Sequence, residues 1–447
     1  MRYNISTFIT TVLLISPLFT LGQEVKHISL NEAINLSLAA SKQLRASSAK
    51  MLQTSASYKE AKERRLPDFN ISGSYLRLLN TDMDLKIKTG GSSTTGEPTT
   101  QPSALPSPNE AAYAIANASL PLFAGFKIQS GIESAKYLNE ATKLDAEKDR
   151  AEVIQNTIAA YSNLYKSVAA VKLVEENLRQ SKERVRELSN MEQNGLLARN
   201  DLLKSQLQQS NVELSLLDAE SNMHISNQNM NLMLGLPDGT FLETDTVFET
   251  AASDRNLLDW ETTALQNRKD AAALAFRAKA AEAGIQFAKS DYYPSLAVTG
   301  GYIGAYVQNL VTIKDAVNVG VGFKYSPSSL WKTDAKVTQA KARLSEIQAN
   351  EGMLEDGIRL QTTQAYENYL LSKKKIDVYS VAVEQSEENY RIVNNKYHNS
   401  LATTTDLLEA DVAQLQARLN YAFAKADAAV SYKKLLQTVG ILDVERQ

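Results

Sequence analysis

The side chains with the most suggestive spacing are three acids in SLATTTDLLEAD, residues 400–411: Asp406, Glu409 and Asp411. Asp406 and Glu409 stand three positions apart, so on a helix they share one face. A paired carboxylate face of that kind can favour cations and repel anions. The same two acids also suit a plainer task, a helix start capped within Thr403-Thr404-Thr405 and stabilised by negative charge near its amino end. The phrase has an echo in GLLARNDLLKSQ, residues 195–206, whose Asp201 lies 205 positions before Asp406. Asp201 follows Asn200 and can likewise be a first-turn acid, and only the second copy adds Glu409 and Asp411.

Beyond these acids the chemistry is sparse. The chain holds no G-x-x-x-x-G-K-[ST], G-x-S-x-G or H-E-x-x-H pattern, so neither phosphate cradling nor nucleophilic or zinc-assisted hydrolysis has a candidate, and the protein is expected not to be an enzyme. His27, His224 and His398 are scattered without partners at ligand spacing, and Met223, Met230 and Met233 have the spacing of helix packing. No metal site and no cofactor are expected. A formal net charge of -3 over 447 residues offers no basic field for nucleic acid.

The absence of cysteine excludes disulfides, thiolate metal sites and an acylated cysteine anchor. Residues 1–22 open with Arg2, run through FITTVLLISPLFTL and end at Gly22, the layout of a secretory signal peptide. No later stretch approaches the roughly 18 consecutive apolar residues of a membrane-spanning helix. An exported chain of this kind is either soluble or part of a membrane β-barrel.

The elements that position the two turns are themselves written twice. SLPLFAGF (119–126) corresponds to YSPSSLWK (325–332), LMLGL (232–236) to TVGI (438–441), and AKERRLPDF (61–69) to AKSDYYPSL (288–296). The larger offset of the last pair is absorbed by residues 80–109, rich in Ser, Thr, Pro and Gly, which the second copy lacks. This predicts two units, 23–235 and 255–447, joined by a connecting patch at 236–254. Each begins with a helical stretch, about 28–66 and 255–290, followed by Pro67 or Pro294, because proline lacks a donor and clashes with the preceding turn. A β-hairpin follows in each, with strands about 68–79 and 110–121 in the first and about 294–306 and 316–326 in the second. The clearest strand is AVNVGVGFKYS (316–326), in which Val317, Val319, Val321, Phe323 and Tyr325 alternate with small or polar residues. Then come very long helices, about 126–192 and 328–397, whose apolar residues recur at coiled-coil spacing, and shorter returning helices ending near Gly235 and Gly440.

Strands of about ten residues with tyrosines near their ends fit a transmembrane barrel, and an ordinary soluble sheet fits them as well. In lipid, four strands cannot close alone, since the smallest barrels have about eight and open edges leave backbone groups unsatisfied. Such a chain must oligomerise, and strand counting permits two, three or four copies.

The signal peptide, the duplicated unit, the AKxxxxP helix ends, the LPLF strand-to-helix junction and the turns NGLLARNDLL and NSLATTTDLLEAD together resemble the TolC-type outer-membrane efflux family over essentially the whole mature chain. The resemblance implies a mostly α fold with a small β part, a homotrimer forming a 12-stranded outer-membrane barrel continued by a periplasmic α-helical barrel. It implies a passive exit duct of a tripartite efflux pump or type I secretion system, surrounded by outer-membrane lipid. A periplasmic adaptor protein and an inner-membrane pump are its implied partners. At the tips it places Asp406 and Glu409 as stacked acidic rings, and Asp201 as the acceptor of a closing bond from Tyr397. It assigns adaptor docking to Gly195, Leu196, Ser400 and Leu401. The chain departs from the family pattern at Ser400, where glycine is favoured, and at Ala402, where an arginine can stand; Arg199 is an alternative donor. The rival readings are a structural coiled-coil protein of the envelope and a periplasmic adaptor.

Overall fold

The computed structural model describes residues 25–79, 108–245, 255–308 and 311–442. The signal peptide, all but the end of the 80–109 loop, residues 246–254 of the connecting patch and the residues after Leu442 lie outside that description. The elements run β1 (Val25–Ile28), α1 (Leu30–Ala40), α2 (Lys42–Glu63), β2 (Asp68–Arg77), β3 (Glu110–Ala124), α3 (Lys127–Gln193) and α4 (Arg199–Leu234). After β4 (Phe241–Thr244) the order of helices and strands recurs as α5 (Leu257–Asn267), α6 (Lys269–Lys289), β5 (Ser295–Val307), β6 (Val311–Lys324), α7 (Ser329–His398) and α8 (Thr404–Thr438). The fold is mostly helical, and the long helices begin and end within a residue or so of their expected bounds.

The chain packs as two compact units, and each draws on both halves of the sequence. The sheet unit comprises Ala46–Lys148 and Asn267–Ile358. The turn unit comprises the residues up to Arg45, Asp149–Gln266 and those from Arg359 on.

The sheet unit holds one antiparallel sheet of four strands in the order β2-β3-β5-β6. Because successive side chains alternate across a strand, the register sorts residues into two faces. Ile71, Ala116, Tyr302 and Val317 form one cross-strand row, and Phe69, Ala118, Gly300 and Val319 the next on the same face. The opposite face carries the row Asn70, Asn117, Gly301 and Asn318. Among the described residues nothing covers the apolar face, with Ile71 87% and Val319 81% exposed, and β2 and β6 are the sheet's edge strands.

Strand β6 begins at Val311, five residues earlier than the alternation indicates. Asp315 has φ +56 and the pairing shifts between Ile303 and Ala305, so a bulge interrupts the two-residue period just before Ala316. The Tyr302 hydroxyl donates to Asp315 Oδ1 at 2.8 Å across that irregularity. At the other end of β3, Gly125 takes φ +60, and a Cβ there would stand 2.5 Å from the Ser290 carbonyl oxygen. Only glycine combines that backbone conformation with so close an approach.

Both helical stretches ahead of the prolines are broken, one at Ser41 between α1 and α2 and one at Arg268 between α5 and α6. Each breaking residue has ψ 118 and leaves the helical region. Ser41 Oγ accepts from the Leu44 N–H at 3.2 Å, and Arg268 is held by Asp270 at 2.5 Å. Neither residue type announces a break, which is why each stretch reads as a single helix in the sequence.

In the turn unit, part of the connecting patch becomes β4 and pairs in parallel with β1. Ile28, Ala33, Tyr161, Leu164, Met230, Leu234 and Leu242 form the core around this pair. The buried Tyr161 hydroxyl donates to the Ile28 carbonyl at 2.9 Å and accepts from the Asp245 N–H at 2.8 Å, tying α3 to both strands. Burial pushes the pKa of this phenol up to about 12.

Candidate functional site at the paired helical turns

The α3–α4 and α7–α8 connections close in the same way. The Leu196 N–H reaches the Met191 carbonyl at 2.9 Å and the Leu401 N–H reaches that of Lys396 at 2.8 Å, each satisfying the end of a long helix. The residue between must be left-handed. Gly195 has φ +73, and Ser400 adopts φ +59. A serine in that region costs about 1–2 kcal/mol relative to glycine. Leu196 and Leu401 stand exposed beside them.

At the start of α8, Thr403 is the N-cap: its Oγ1 accepts from the Asp406 N–H at 3.2 Å, and the Thr403 N–H donates to Asp406 Oδ2 at 2.8 Å. The donation from the Thr403 backbone, and then that from its hydroxyl to Asp406 Oδ2 at 2.8 Å, hold the Asp406 carboxyl below its ordinary range. The plainer task foreseen for Asp406 is therefore met, and it keeps the carboxylate ionised. Glu409 is exposed like Asp406, whereas Leu407, Ala410 and Asp411 are buried.

The start of α4 is capped less well. Ala198 offers no side-chain bond, and Asp201 faces Lys204 at 3.7 Å. Lys204 Nζ also donates to Thr405 Oγ1 at 3.2 Å, which joins the two turns. Arg199 pairs with Glu192 at 3.5 Å. Among the described residues of this single chain, the buried Tyr397 hydroxyl has no hydrogen-bond partner, and no bond joins it to Asp201.

The third acid proves different from its neighbours. Asp411 Oδ2 lies 3.0 Å from Arg184 Nη1, with Asp411 1% and Arg184 8% exposed. Asn177 Nδ2 donates to the other carboxylate oxygen at 3.2 Å, and Arg184 Nη2 donates to the Tyr390 hydroxyl at 3.1 Å. Burial opposes the Arg184 charge, but the Asp411 carboxylate and Tyr390 more than offset it, so the guanidinium pKa is raised. One cluster thus links α3, α7 and α8 close to the turns. A signal existed in the sequence: Asp411 shares the buried stripe of Leu407, Ala410 and Gln414, where an unpaired carboxylate would be costly.

Among the described residues no group of three His, Cys, Asp or Glu side chains is placed to hold a metal ion. Met230 lies in the core with Met233 packed against it, in keeping with a packing role. No described helix is long and apolar enough to cross a membrane.

Solved structures show the same architecture at low identity. The outer membrane protein VceC of Vibrio cholerae is 18% identical, with TM-score 0.74, over 92% of this chain and 96% of its own. The CmeC outer membrane channel of Campylobacter jejuni is 19% identical, with TM-score 0.77, over 92% and 86%. The MtrE outer membrane channel of Neisseria gonorrhoeae, solved in its open state, is 17% identical, with TM-score 0.71, over 92% and 89%. A sequence comparison with curated proteins gave no match. The profile of the family described as outer membrane efflux protein matches residues 33–236 and 260–441, and the chain accordingly belongs to that TolC-like family of outer-membrane channels with a periplasmic extension, which transport rather than catalyse.

Proposed function

We propose that three copies of this chain close into a 12-stranded barrel and a continuous helical tube, a passive exit duct for a tripartite efflux pump or a type I secretion system. The observation that carries this reading is the sheet itself: among the described residues of the single chain it has four strands, two free edges and an uncovered apolar face. Lipid around the apolar face and like sheets at both edges satisfy it, because in a membrane no strand edge can stay open. The row of Asn70, Asn117 and Asn318 then faces the water-filled interior.

The halves 23–235 and 255–447 are two copies of one ancestral unit, as the recurring element order and the two separate family matches support. Leu257, Leu258 and their followers thus stand where the first copy has α1. Each trimer presents six turns at its periplasmic mouth. Gly195, Leu196, Ser400 and Leu401 dock an adaptor protein there, with two exposed leucines as the apolar contacts.

Asp406 and Glu409 line the mouth as two acidic rings that favour cations, and Asp201 and Tyr397 brace it through contacts between neighbouring chains. Arg184 and Asp411 latch α8 and α7 to α3 behind the rings, so widening the mouth strains or breaks that pair. The test is extraction from the outer membrane in mild detergent, native mass measurement, and recording in a planar bilayer. A trimer with a small, cation-preferring conductance is expected; a soluble monomer without pores overturns the proposal.

A further inference from the structure

We propose that the sheet unit contains a binding groove for an elongated amphiphilic anion, a molecule with one apolar chain and one carboxylate, phosphate or sulfate head. The groove has a volume of about 760 Å³ and is lined by α3, α6 and α7. Its floor is cut by small residues of α6: Ala280, Ala281, Gly284 and Ala288. A Cβ placed on Gly284 meets no heavy atom within 4 Å, so the space above this position is open. Leu138, Phe287 and Ile347 supply apolar walls.

Four cations, Lys127, Arg277, Lys336 and Arg343, also line the groove. Lys127 and Lys336 share one carboxylate, Asp291, at 2.9 and 2.7 Å, and Arg277 pairs with Asp145. Within the single chain Arg343 has no salt bridge among the described residues. Four cations against two carboxylates leave an excess of positive charge, in a protein whose formal net charge is -3. A small hydrated anion would gain nothing from the alanine floor, and a neutral chain would gain nothing from Arg343. Only a molecule with both parts uses the whole groove: apolar burial for the chain and a charge-assisted fork for the head.

All the lining residues belong to one chain, so the groove can be tested apart from the pore and the acidic rings. A preparation that binds the ligand but forms no pore would lose the channel reading and keep this one.

The test uses the full protein in phosphatidylcholine nanodiscs, empty nanodiscs as the blank, and dansylaminoundecanoate as a fluorescent single-chain carboxylate. Saturable binding of one probe per chain is expected, displaced by dodecanoate but not by acetate or dodecanol. Arg343→Gln should weaken it about tenfold, the loss of one charge-assisted hydrogen bond. Gly284→Leu should abolish it by filling the floor, while unchanged circular dichroism and particle size show that the fold persists.

Displacement by acetate alone would mean a simple anion site, and equal displacement by dodecanol a charge-blind one; either result overturns the proposal, as does unaltered binding in both variants. Mass spectrometry of lipid carried through purification separates the two sources of such a molecule. An anionic single-chain lipid retained by the wild type and lost in Arg343→Gln identifies a membrane lipid. Probe binding with no retained lipid identifies a solute arriving from water.

Discussion

Asp411 Oδ2 lies 3.0 Å from Arg184 Nη1 in a buried pair that spans α8 and α3. Two residues before it, Glu409 is exposed on the other side of the same helix. One acidic cluster in the sequence is therefore two devices in the fold, a solvent-facing pair and an internal latch.

Breaking the latch on one side should be severe. Asp411→Ala leaves a buried guanidinium without its counter-ion, which costs about 3–5 kcal/mol, whereas replacing both residues by leucine should recover most of that loss. Thermal unfolding of the single and double variants measures the difference. Equal stability of Asp411→Ala and wild type would remove the latch. In bilayers the single variant should open more readily than the double.

The turn at Ser400 stores strain that the turn at Gly195 does not. Ser400→Gly is expected to stabilise the protein by about 1 kcal/mol, since glycine reaches φ +59 without a Cβ clash. Gly195→Ser should cost a similar amount. A lower melting temperature for Ser400→Gly would contradict the assignment of that strain.

The proposed acidic rings have a pH signature. Asp406 has its folded-state pKa depressed below the ordinary 3.8, so its cap contributes stability above that value and loses it as pH falls through the lower folded value. Within one chain its charge accordingly persists at every pH from 7 down to about 4. The reversal potential in a salt gradient should show an Asp406-dependent cation preference across that range, falling only in stronger acid. The Asp406→Ala, Glu409→Ala variant should lose the preference at neutral pH, and unchanged selectivity there would take both residues out of the mouth.

Tyr161 closes the small parallel sheet, and Tyr161→Phe strands the Ile28 carbonyl and the Asp245 N–H. A loss of about 1–3 kcal/mol follows from the unsatisfied groups. The raised pKa sets a second expectation: stability from the neutral phenol is full below pH 10.0 and declines as pH rises through about 12. Denaturant midpoints of wild type and variant at neutral and alkaline pH check both.

The two tryptophans report on different places. Trp260 is buried, while Trp331, near the start of α7 just after β6, is 66% exposed and belongs at the proposed membrane boundary. Brominated lipid should quench the emission of Trp331 and spare that of Trp260, as Trp→Phe variants at each position would reveal. Equal quenching of both would misplace the boundary.

Much of the architecture was legible because it rests on periodicity. Long runs of helix formers without proline, prolines after the shorter helices and two-residue alternation in β6 all act through local backbone geometry. What escaped was local structure with no distinctive residue. Ser41 and Arg268 break helices through backbone angles that a serine and an arginine seldom mark, and the bulge at Asp315 hides the first five residues of β6 behind a lost phase. β1 and β4 are four residues each, too short to show a period, and they pair across a long stretch of chain.

The same division applies to the candidate site. Residue order alone sets the two turns, their repeated aspartates, the start of α8 at the threonine run and the shared face of Asp406 and Glu409, since each depends on residues within one helical turn. Long-range packing is what turns Asp411 inward to a guanidinium 227 positions away and lets Lys204 reach Thr405 across the two turns. Those partners meet because helices distant in sequence pack side by side, and burial then makes their charges interdependent.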